Sequence, residues 1–579
     1  MEKSKNNKTT LIVVAIIAAV LLYEIVPYVI SRFTTDYIFG DSAIERQEET
    51  YRQVDYTELT QQQRLEDFDY FYTMLKTTLP YVYDMKEKYG FSVLDKEQQY
   101  REMVQRCTND YQFLALMSSI INDVPSGHAM FIPPDYYNYF TSGYYRSDTV
   151  GINLTDNLHG KLDAYAKYLV EQQNIYNEKM EGFVSFTYAD GTYLCTGCTS
   201  TEFIHSTINA INGEDPSSFI VGMTSPTGQI QYDPKHENAY RASVIFSESG
   251  NEPVTLSLEL QDGTPFTTEL YCDYDLCYSL WNGGYFVEEN LSNGEGEVFE
   301  AAPDASEDSI GIQTDDSRGV AYISITSLLY SDGSVIRKQI EKVNDYDTIV
   351  IDLRGNGGGI SSFYEEYIYP ALYKDDAMFS STGYVPKNSY TNGLFNGFFG
   401  GLLNRWVNDL KFGVTDEYPE EMYDCNNGQY YKYTFKHELN GTSSLNYSDD
   451  REVYYIVNNN TCSAADEIAQ MVKTCGLGKI VGTHTQGEGL IFGVCCDWLP
   501  NSLLMYMYCP TYVVDSEGVN NNLYGTMPDI YGGTTLSGYI LSDNMEFAGE
   551  DWRSLENREL WDNNYRLILA EAGELDAAA

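Results

Sequence analysis

The spacing of hydrophobic positions changes several times along this chain. The first apolar block, Thr9 to Ile30, has no period: 22 residues interrupted only by Glu24 and Pro27. At ~1.5 Å per residue that is enough to cross a bilayer as a helix. From 58 to 122, apolar residues recur at helical spacing through LEDFDYFYTMLKTTLP and FLALMSSIINDV, which predicts helices. The run ends in Pro125-Ser126-Gly127-His128, a turn that exposes the side chain following it. Residues 140–180 are polar and Tyr-rich and read as loops with a short helix. Between 183 and 272 the period falls to two, as in Val254-Thr-Leu-Ser-Leu-Glu-Leu260. Short alternating runs between turns suit a small β-rich domain. Residues 283–315, acidic and Gly/Ser-rich, read as a linker.

Beyond 318 the pattern becomes β then α. GVAYISI (319–325) and EVYYIV (452–457) read as strands, and TIVIDL (348–353) is nearly continuous in apolar residues, as in a sheet covered on both faces. Helices are predicted with Ile336, Ile340 and Val343 on one face, and from Ala464 to Thr474. Residues 374–450 are rich in Tyr, Asn, Gly and Phe, show no clear period, and read as a long insertion. Strands alternating with helices make the core α/β.

Charge alters the picture at the amino terminus. The 579 residues hold 36 Lys plus Arg against 85 Asp plus Glu, a formal net of −49. Residues 1–35 carry four basic and two acidic groups, a net of +2, so −49 less +2 leaves −51 for the rest. Three Lys precede the apolar block, and Asp36, Asp41 and Glu45 follow it. That asymmetry places the amino terminus inside and everything after Phe33 outside. No small-x-small cleavage site follows and no Cys stands ready to accept lipid, so the block reads as an uncleaved anchor rather than a signal peptide. The acidic excess excludes a nucleic-acid partner, which needs Lys and Arg to replace counterions, and docking of the folded part on anionic lipid. At 43% hydrophobic and 14% aromatic residues the chain is not a disordered polyanion. Eleven Cys fit an oxidising exterior. Cys195-x-x-Cys198 and Cys272-x4-Cys277 could be disulfides, buried thiols or a zinc site; no third feature supports zinc, and no metal or cofactor is expected. Cys462 is a thiol to watch, because of its neighbour.

Three segments carry chemistry. Ile351-Asp-Leu-Arg-Gly-Asn-Gly-Gly-Gly359 puts four Gly after a buried strand, leaving backbone N–H groups able to meet an oxyanion or a phosphate; the Lys-Ser/Thr ending of a P-loop is missing. Thr461-Cys-Ser463-Ala-Ala-Asp-Glu-Ile468 follows a strand and opens a helix. Ser463 there is an N-cap on the simplest reading, and on a functional one a hydroxyl beside the positive end of a helix dipole. Ser126-Gly127-His128-Ala129 supplies one of only six His, hence one of few bases for neutral pH. His484, in VGTHTQG, is the other His near the core.

Together, IDLRGNGGG, TCSAADEIAQMV, KIVGTHTQGEG and GTMPDI (525–530), in that order, resemble the carboxyl-terminal processing (tail-specific) serine peptidases and their tricorn-like relatives. The resemblance covers roughly 58–128 and 318–535, and INGED (211–215) lies where that family carries a PDZ-like domain. It implies a crotonase-like α/β peptidase core with Ser463 as nucleophile. The tail-specific branch uses the Lys of T-x-G-K-G as base. Here that segment is Thr485-Gln-Gly-Glu488-Gly, so the Ser–Lys dyad is absent. The tricorn-like branch takes its base from a His after the amino-terminal helices, which His128 matches. It orients that His with a Glu shortly before G-x-x-P-D-I, where the best-matching position is Asn522, with Glu488 and Glu517 as rivals. An Asn can hold an imidazole tautomer but stabilises imidazolium less than a carboxylate does. The oxyanion donors implied are the N–H groups of Gly358 or Gly359 and of Ala464.

The organisation expected is a cytoplasmic stub (1–8), a transmembrane anchor (9–31) and a linker (32–57). A helical region (58–135), a connecting segment (136–182), a PDZ-like domain (183–282) and an acidic linker (283–317) come next. The peptidase core (318–545) contains the insertion 374–450, and a carboxyl-terminal segment (546–579) follows. The expected function is a single-pass, membrane-anchored extracytoplasmic serine peptidase acting on protein or peptide substrates. The alternative is an inactive homologue serving as a peptide- or cell-surface-binding module.

Overall fold

The helical region is divided by its own chemistry. Helix α1 (Gln61–Thr78) begins at a capping box in which Thr60 and Gln63 satisfy each other's backbone N–H groups. It stops before Leu79-Pro80, because a residue preceding Pro is disfavoured in the helical region. Helices α2 (Met85–Tyr89), α3 (Glu97–Arg106) and α4 (Asp110–Asn122) follow. The Asn109 side chain caps α4 by accepting from Gln112 N–H. Phe113, Leu114, Leu116, Met117, Ile120 and Ile121 are buried on all sides of α4, so it runs through the centre of the first core. It ends just before Pro125, and the chain turns through His128 into strand β1 (Met130–Ile132).

In this computed structural model the described residues are 57–132, 168–169, 171–172, 182–272 and 310–574, apart from 199–200, 224–228, 249, 251, 389, 392–412, 449, 492–493 and 522–524. The apolar block 9–31, most of the acidic linker and Asn522 lie outside them. Among the described residues no helix is long and apolar enough to cross a membrane.

The β-rich unit comprises β2 (Phe183–Ala189), β3 (Thr192–Cys198), β4 (Thr207–Ile211), helix α5 (Pro216–Gly222), β5 (Ile230–Asp233), β6 (Asn238–Arg241), β7 (Ser243–Ser247), β8 (Glu252–Glu259) and β9 (Pro265–Cys272). Six of these strands close into a barrel in the order β2-β3-β4-β8-β9-β7, filled by Val184, Phe186, Tyr193, Ile208 and Leu256. The β5–β6 hairpin reaches out of it. There the fully buried Arg241 pairs its guanidinium with Asp123 at the end of α4, so barrel and helical region are locked together five residues before His128.

The core is a six-stranded sheet. Its elements in chain order are β10 (Ile310–Asp315), β11 (Val320–Ile325), α6 (Tyr330–Lys342), β12 (Thr348–Asp352), β13 (Ala377–Pro386), β14 (Val414–Thr415), β15 (Tyr430–Leu439), β16 (Glu452–Val457), α7 (Ala464–Cys475), β17 (Lys479–Gly482), β18 (Cys495–Trp498), β19 (Met505–Tyr508), β20 (Tyr512–Asp515), β21 (Ile530–Tyr531), α8 (Leu536–Phe547), α9 (Leu555–Trp561) and α10 (Asn563–Glu571). The sheet order is β10-β11-β12-β16-β17-β21, parallel throughout except for the edge strand β10. Ile336 and Ile340 of α6 and Ala465 and Ile468 of α7 cover one face, and Tyr565, Ile568 and Leu569 of α10 cover the other. Burial on both sides is why these strands are so uniformly apolar.

The segment 374–450 differs from the irregular insertion its composition suggests. Strands β13 and β15 pair in register over ten residues, Ala377 opposite Leu439 through Pro386 opposite Tyr430, and β20 adds to the far edge of β13. Their alternation is hard to see because Tyr serves on both faces of a sheet, its ring packing and its hydroxyl wet. β1 joins β19 and β18 in a separate three-stranded sheet, which fixes the chain on the far side of His128.

Candidate active site

Strands β12 and β16 are adjacent and parallel, so the loops that leave their carboxyl ends emerge side by side. One is the Gly-rich loop and the other is the turn into α7. They are stitched together: Cys462 N–H donates to Asn356 O at 3.1 Å, and Thr461 Oγ1 to Leu353 O at 3.0 Å. Asn356, fully buried, also donates from Nδ2 to Ile325 O at 2.9 Å.

Ser463 stands at the N-cap position of α7 but does not cap it: no side-chain hydrogen bond closes the helix. Its backbone lies at φ 55°, ψ −131°, a left-handed conformation that costs a non-Gly residue on the order of 1–3 kcal/mol and persists only where surrounding contacts impose it. The side chain is thereby presented outward at a strand–helix corner, as a nucleophile elbow presents its Ser. Its Oγ lies 3.2 Å from His128 Nε2, across 335 positions of sequence.

The other imidazole nitrogen settles the orienting group. His128 Nδ1 is 2.6 Å from Glu488 Oε2, and the same oxygen accepts the His128 backbone N–H at 2.8 Å. Glu488 is buried to 0% side-chain exposure and His128 to 16%. An ionised carboxylate only accepts, so the neutral imidazole holds its proton on Nδ1 and turns the Nε2 lone pair to the Ser463 hydroxyl. The Nδ1 partner seen is Glu488, one of the two rivals in the sequence-based reading; Asn522, the first choice there, lies outside the described residues. Glu517 is exposed in the turn after β20, where its N–H donates to Asp515 Oδ1, and is not part of the site.

What holds Glu488 there is Asp466, which the sequence did not single out. Asp466 Oδ1 accepts from Thr485 Oγ1 at 2.5 Å and Thr526 Oγ1 at 2.7 Å; Oδ2 accepts from Gly489 N at 2.8 Å and Gln470 Nε2 at 3.1 Å. Thr485 and Gly489 flank Glu488, itself at φ 60°, so a carboxylate on α7 pins both ends of the loop that feeds His128. Burial pushes the Asp466 carboxyl above its ordinary range, opposed by these four donors.

The oxyanion side is less open than the motif implies. Gly358 N–H is engaged by Asn356 Oδ1 at 2.9 Å. Among the described residues the N–H groups of Gly359 and Ala464 meet no acceptor, which leaves them, with the α7 dipole, as the donors available in this conformation. Gly358 packs hard on the nucleophile turn: a Cβ there would lie 2.7 Å from Ser463 Cβ and 2.8 Å from Ala464 N.

Cys462 is buried and its thiol is pushed well above the ordinary thiol range by that burial, so it is no competing nucleophile. Cys195 is a buried free thiol, and Cys277 lies outside the described residues. Among the described residues no group of His, Cys, Asp and Glu could hold a metal ion.

His484 stands apart from the site. Its Nδ1 donates to Thr485 O at 2.7 Å, and burial, with Lys88 adding to it, lowers its pKa to about 4. The unfolded chain binds that proton near ~6.5. This group leaves stability intact above that range and lowers it as pH falls toward 4, by about 3 kcal/mol at most. Denaturant melts between pH 7 and 4 should show a flatter pH dependence for His484→Gln than for the wild type.

Residues 319–531 match the family model described as Peptidase family S41. No curated protein matches the chain. Among solved structures, mature CPAF complexed with lactacystin superposes at a TM-score of 0.48 and 12% identity, covering 89% of this chain and 99% of its own. The photosystem II D1 C-terminal processing protease gives 0.33 and 11%, over 81% and 93%. The tricorn protease gives 0.27 and 13%, over 89% and 37%.

Proposed function

Since residues 319–531 form a domain of peptidase family S41, and the chain is thus a serine-type peptidase, we propose that it cleaves polypeptides through an acyl-enzyme on Ser463. The observation that carries this reading is the relay Glu488–His128–Ser463, with contacts of 2.6 and 3.2 Å.

In the acylation step His128 Nε2 takes the Ser463 proton as Oγ attacks the peptide carbonyl. Glu488 holds the ring and stabilises the imidazolium that forms. The carbonyl oxygen, now an anion, sits against N–H groups at the start of α7 and in the Gly-rich loop. The imidazolium then gives its proton to the departing amine. A water enters, His128 takes its proton, and the acyl bond is hydrolysed with the Ser463 hydroxyl restored.

The position held by a Lys in the tail-specific motif thus serves here as the acid partner of a His, and Ser–Lys chemistry is replaced by Ser–His–Glu. The chain is tethered by residues 9–31 with its catalytic portion extracytoplasmic; this rests on the length of the apolar block and the charge on either side of it. The substrate is a protein or peptide, and no cofactor takes part.

A fluorophosphonate probe tests the reading directly. The wild type should form one covalent adduct at Ser463 and cleave an unfolded polypeptide; Ser463→Ala should do neither, and His128→Ala should label at least about 100-fold more slowly. A wild-type chain that is folded yet forms no adduct and cleaves nothing would leave the binding-module reading standing.

A further inference from the structure

Behind the nucleophile, α7 carries two successive buried carboxylates in its first turn, Asp466 and Glu467. Negative charge there opposes the task of this helix end, which is to attract an oxyanion. The Asp466 charge is spread over four donors, as described above. Glu467 is different. It is 3% exposed, its Oε2 is buried with no hydrogen-bond partner, and its Oε1 faces His437 Nε2 at 3.4 Å, while the Ser361 hydroxyl also offers the carboxyl a hydrogen bond. His437 comes from β15, in the Tyr-rich segment 374–450. Its Nδ1 meets Glu365 Oε1, on the π-helical turn Tyr364–Ile368 that follows the Gly-rich loop. The ring thus stands between two carboxylates, and both its nitrogens face oxygen. That arrangement needs a proton shared within the cluster: an imidazolium between two carboxylates, or a neutral ring beside a carboxylic acid.

We infer that His437 is a positioning residue of the active site, which acts through Glu467: it keeps the first turn of α7 from presenting an uncompensated charge behind the oxyanion. This rests on the reading of Ser463 as nucleophile. The other groups facing the cluster fit the role. From α7 the neighbouring charge is Asp466, and from the π-helical turn it is Glu365. From β13 Phe379 stands directly opposite His437, and from β15 Phe435 lies two residues away on the same side. Phe379 is buried, Phe435 is partly exposed, and neither ring supplies a counter-charge. Burial pushes the Glu467 carboxyl well above the usual carboxylate range, Glu365 and Asp466 push it the same way, and the Ser361 hydroxyl opposes them. The β15 segment therefore does more than cover the core, since it supplies the group that compensates a carboxylate one turn from Ser463.

The test is a charge-removal cycle on the full-length chain, read as the rate of Ser463 adduct formation and as kcat between pH 6 and 9. His437→Gln is expected to lower kcat about 10- to 100-fold at pH 8 with KM unchanged, and less at pH 6, as expected for one buried like charge acting over roughly one helix turn. Adding Glu467→Gln to His437→Gln should restore the rate to within about threefold of Glu467→Gln alone, because the charge that did the harm is gone. Glu467→Gln by itself should flatten the alkaline limb of the profile. That single variant decides the matter should His437→Gln fail to fold, and an unchanged alkaline limb overturns the proposal. A loss in His437→Gln that is equal at all pH and not relieved by Glu467→Gln overturns it too, since a purely structural role behaves that way. An inert wild type removes the nucleophile reading and this inference together, while an active wild type with an unaffected His437→Gln removes this inference alone.

Discussion

Glu488→Gln lowers kcat by about 100- to 10,000-fold, with fluorophosphonate labelling of Ser463 slowed in parallel, the range seen when a triad carboxylate becomes an amide. The reason lies in the two bonds that one oxygen makes. Glu488 Oε2 accepts both the Nδ1 and the backbone N–H of His128. A Gln can offer one carbonyl oxygen to that pair but no charge, and its NH₂ can turn toward Nδ1 and force the opposite tautomer. The imidazolium formed in the transition state then has no counter-charge in a buried site. KM should change little, because Glu488 sits behind the His and is not exposed to substrate. A variant retaining more than a tenth of wild-type kcat, with circular dichroism unchanged, would show that His128 needs no carboxylate and reopen the choice of orienting group.

Gly358→Ala is expected to lower kcat by at least about 100-fold, the scale of losing one oxyanion donor, whereas Gly357→Ala, one residue earlier, stays near wild type. Gly358 sits at φ +102°, and a Cβ there would lie 2.7 Å from Ser463 Cβ and 2.8 Å from both Ala464 N and Cys462 O. Two of those three atoms are backbone, so the loop and the nucleophile turn must separate. A Cβ on Gly357 meets nothing within 4 Å. Kinetics on the two variants side by side check the claim: equal losses would mean that general loop stiffening, and not approach to Ser463, is what the glycines provide.

Much of the fold was legible because its cause is local. The strands 348–352 and 452–457 announce themselves as unbroken apolar runs, since both faces of that sheet are covered. The α7 stripe Ala465, Ile468, Ala469, Val472 is a helical face of one helix. The β13–β15 ladder escaped notice because Tyr and Thr satisfy either face and blur a period of two. In the site, Ser463 and His128 could be nominated from motif and scarcity of His. Glu488 could be named only as a rival, since it had to be weighed against Asn522 and Glu517 by distance along the chain, which carries no information about which carboxylate reaches a ring nitrogen.

The sequence by itself determined the chemical inventory: an α/β core, a Gly-rich loop after one strand, a Ser at a strand–helix corner, a His on a turn, and no Lys where a Ser–Lys dyad would need one. These follow from short-range physics, from side-chain period, turn chemistry and residue type. Only the tertiary structure decided the connections. The relay joins residues 128, 463 and 488, and the supports join 466 to 485, 489 and 526, and 437 to 467 and 365. Each such link is a hydrogen bond or ion pair whose partners are set by how the parallel strands order themselves and how the barrel and helical region lock through Arg241 and Asp123. Long-range pairings of this kind depend on closing loops of tens to hundreds of residues onto one geometry, and no pattern within any single segment records where the other end will be.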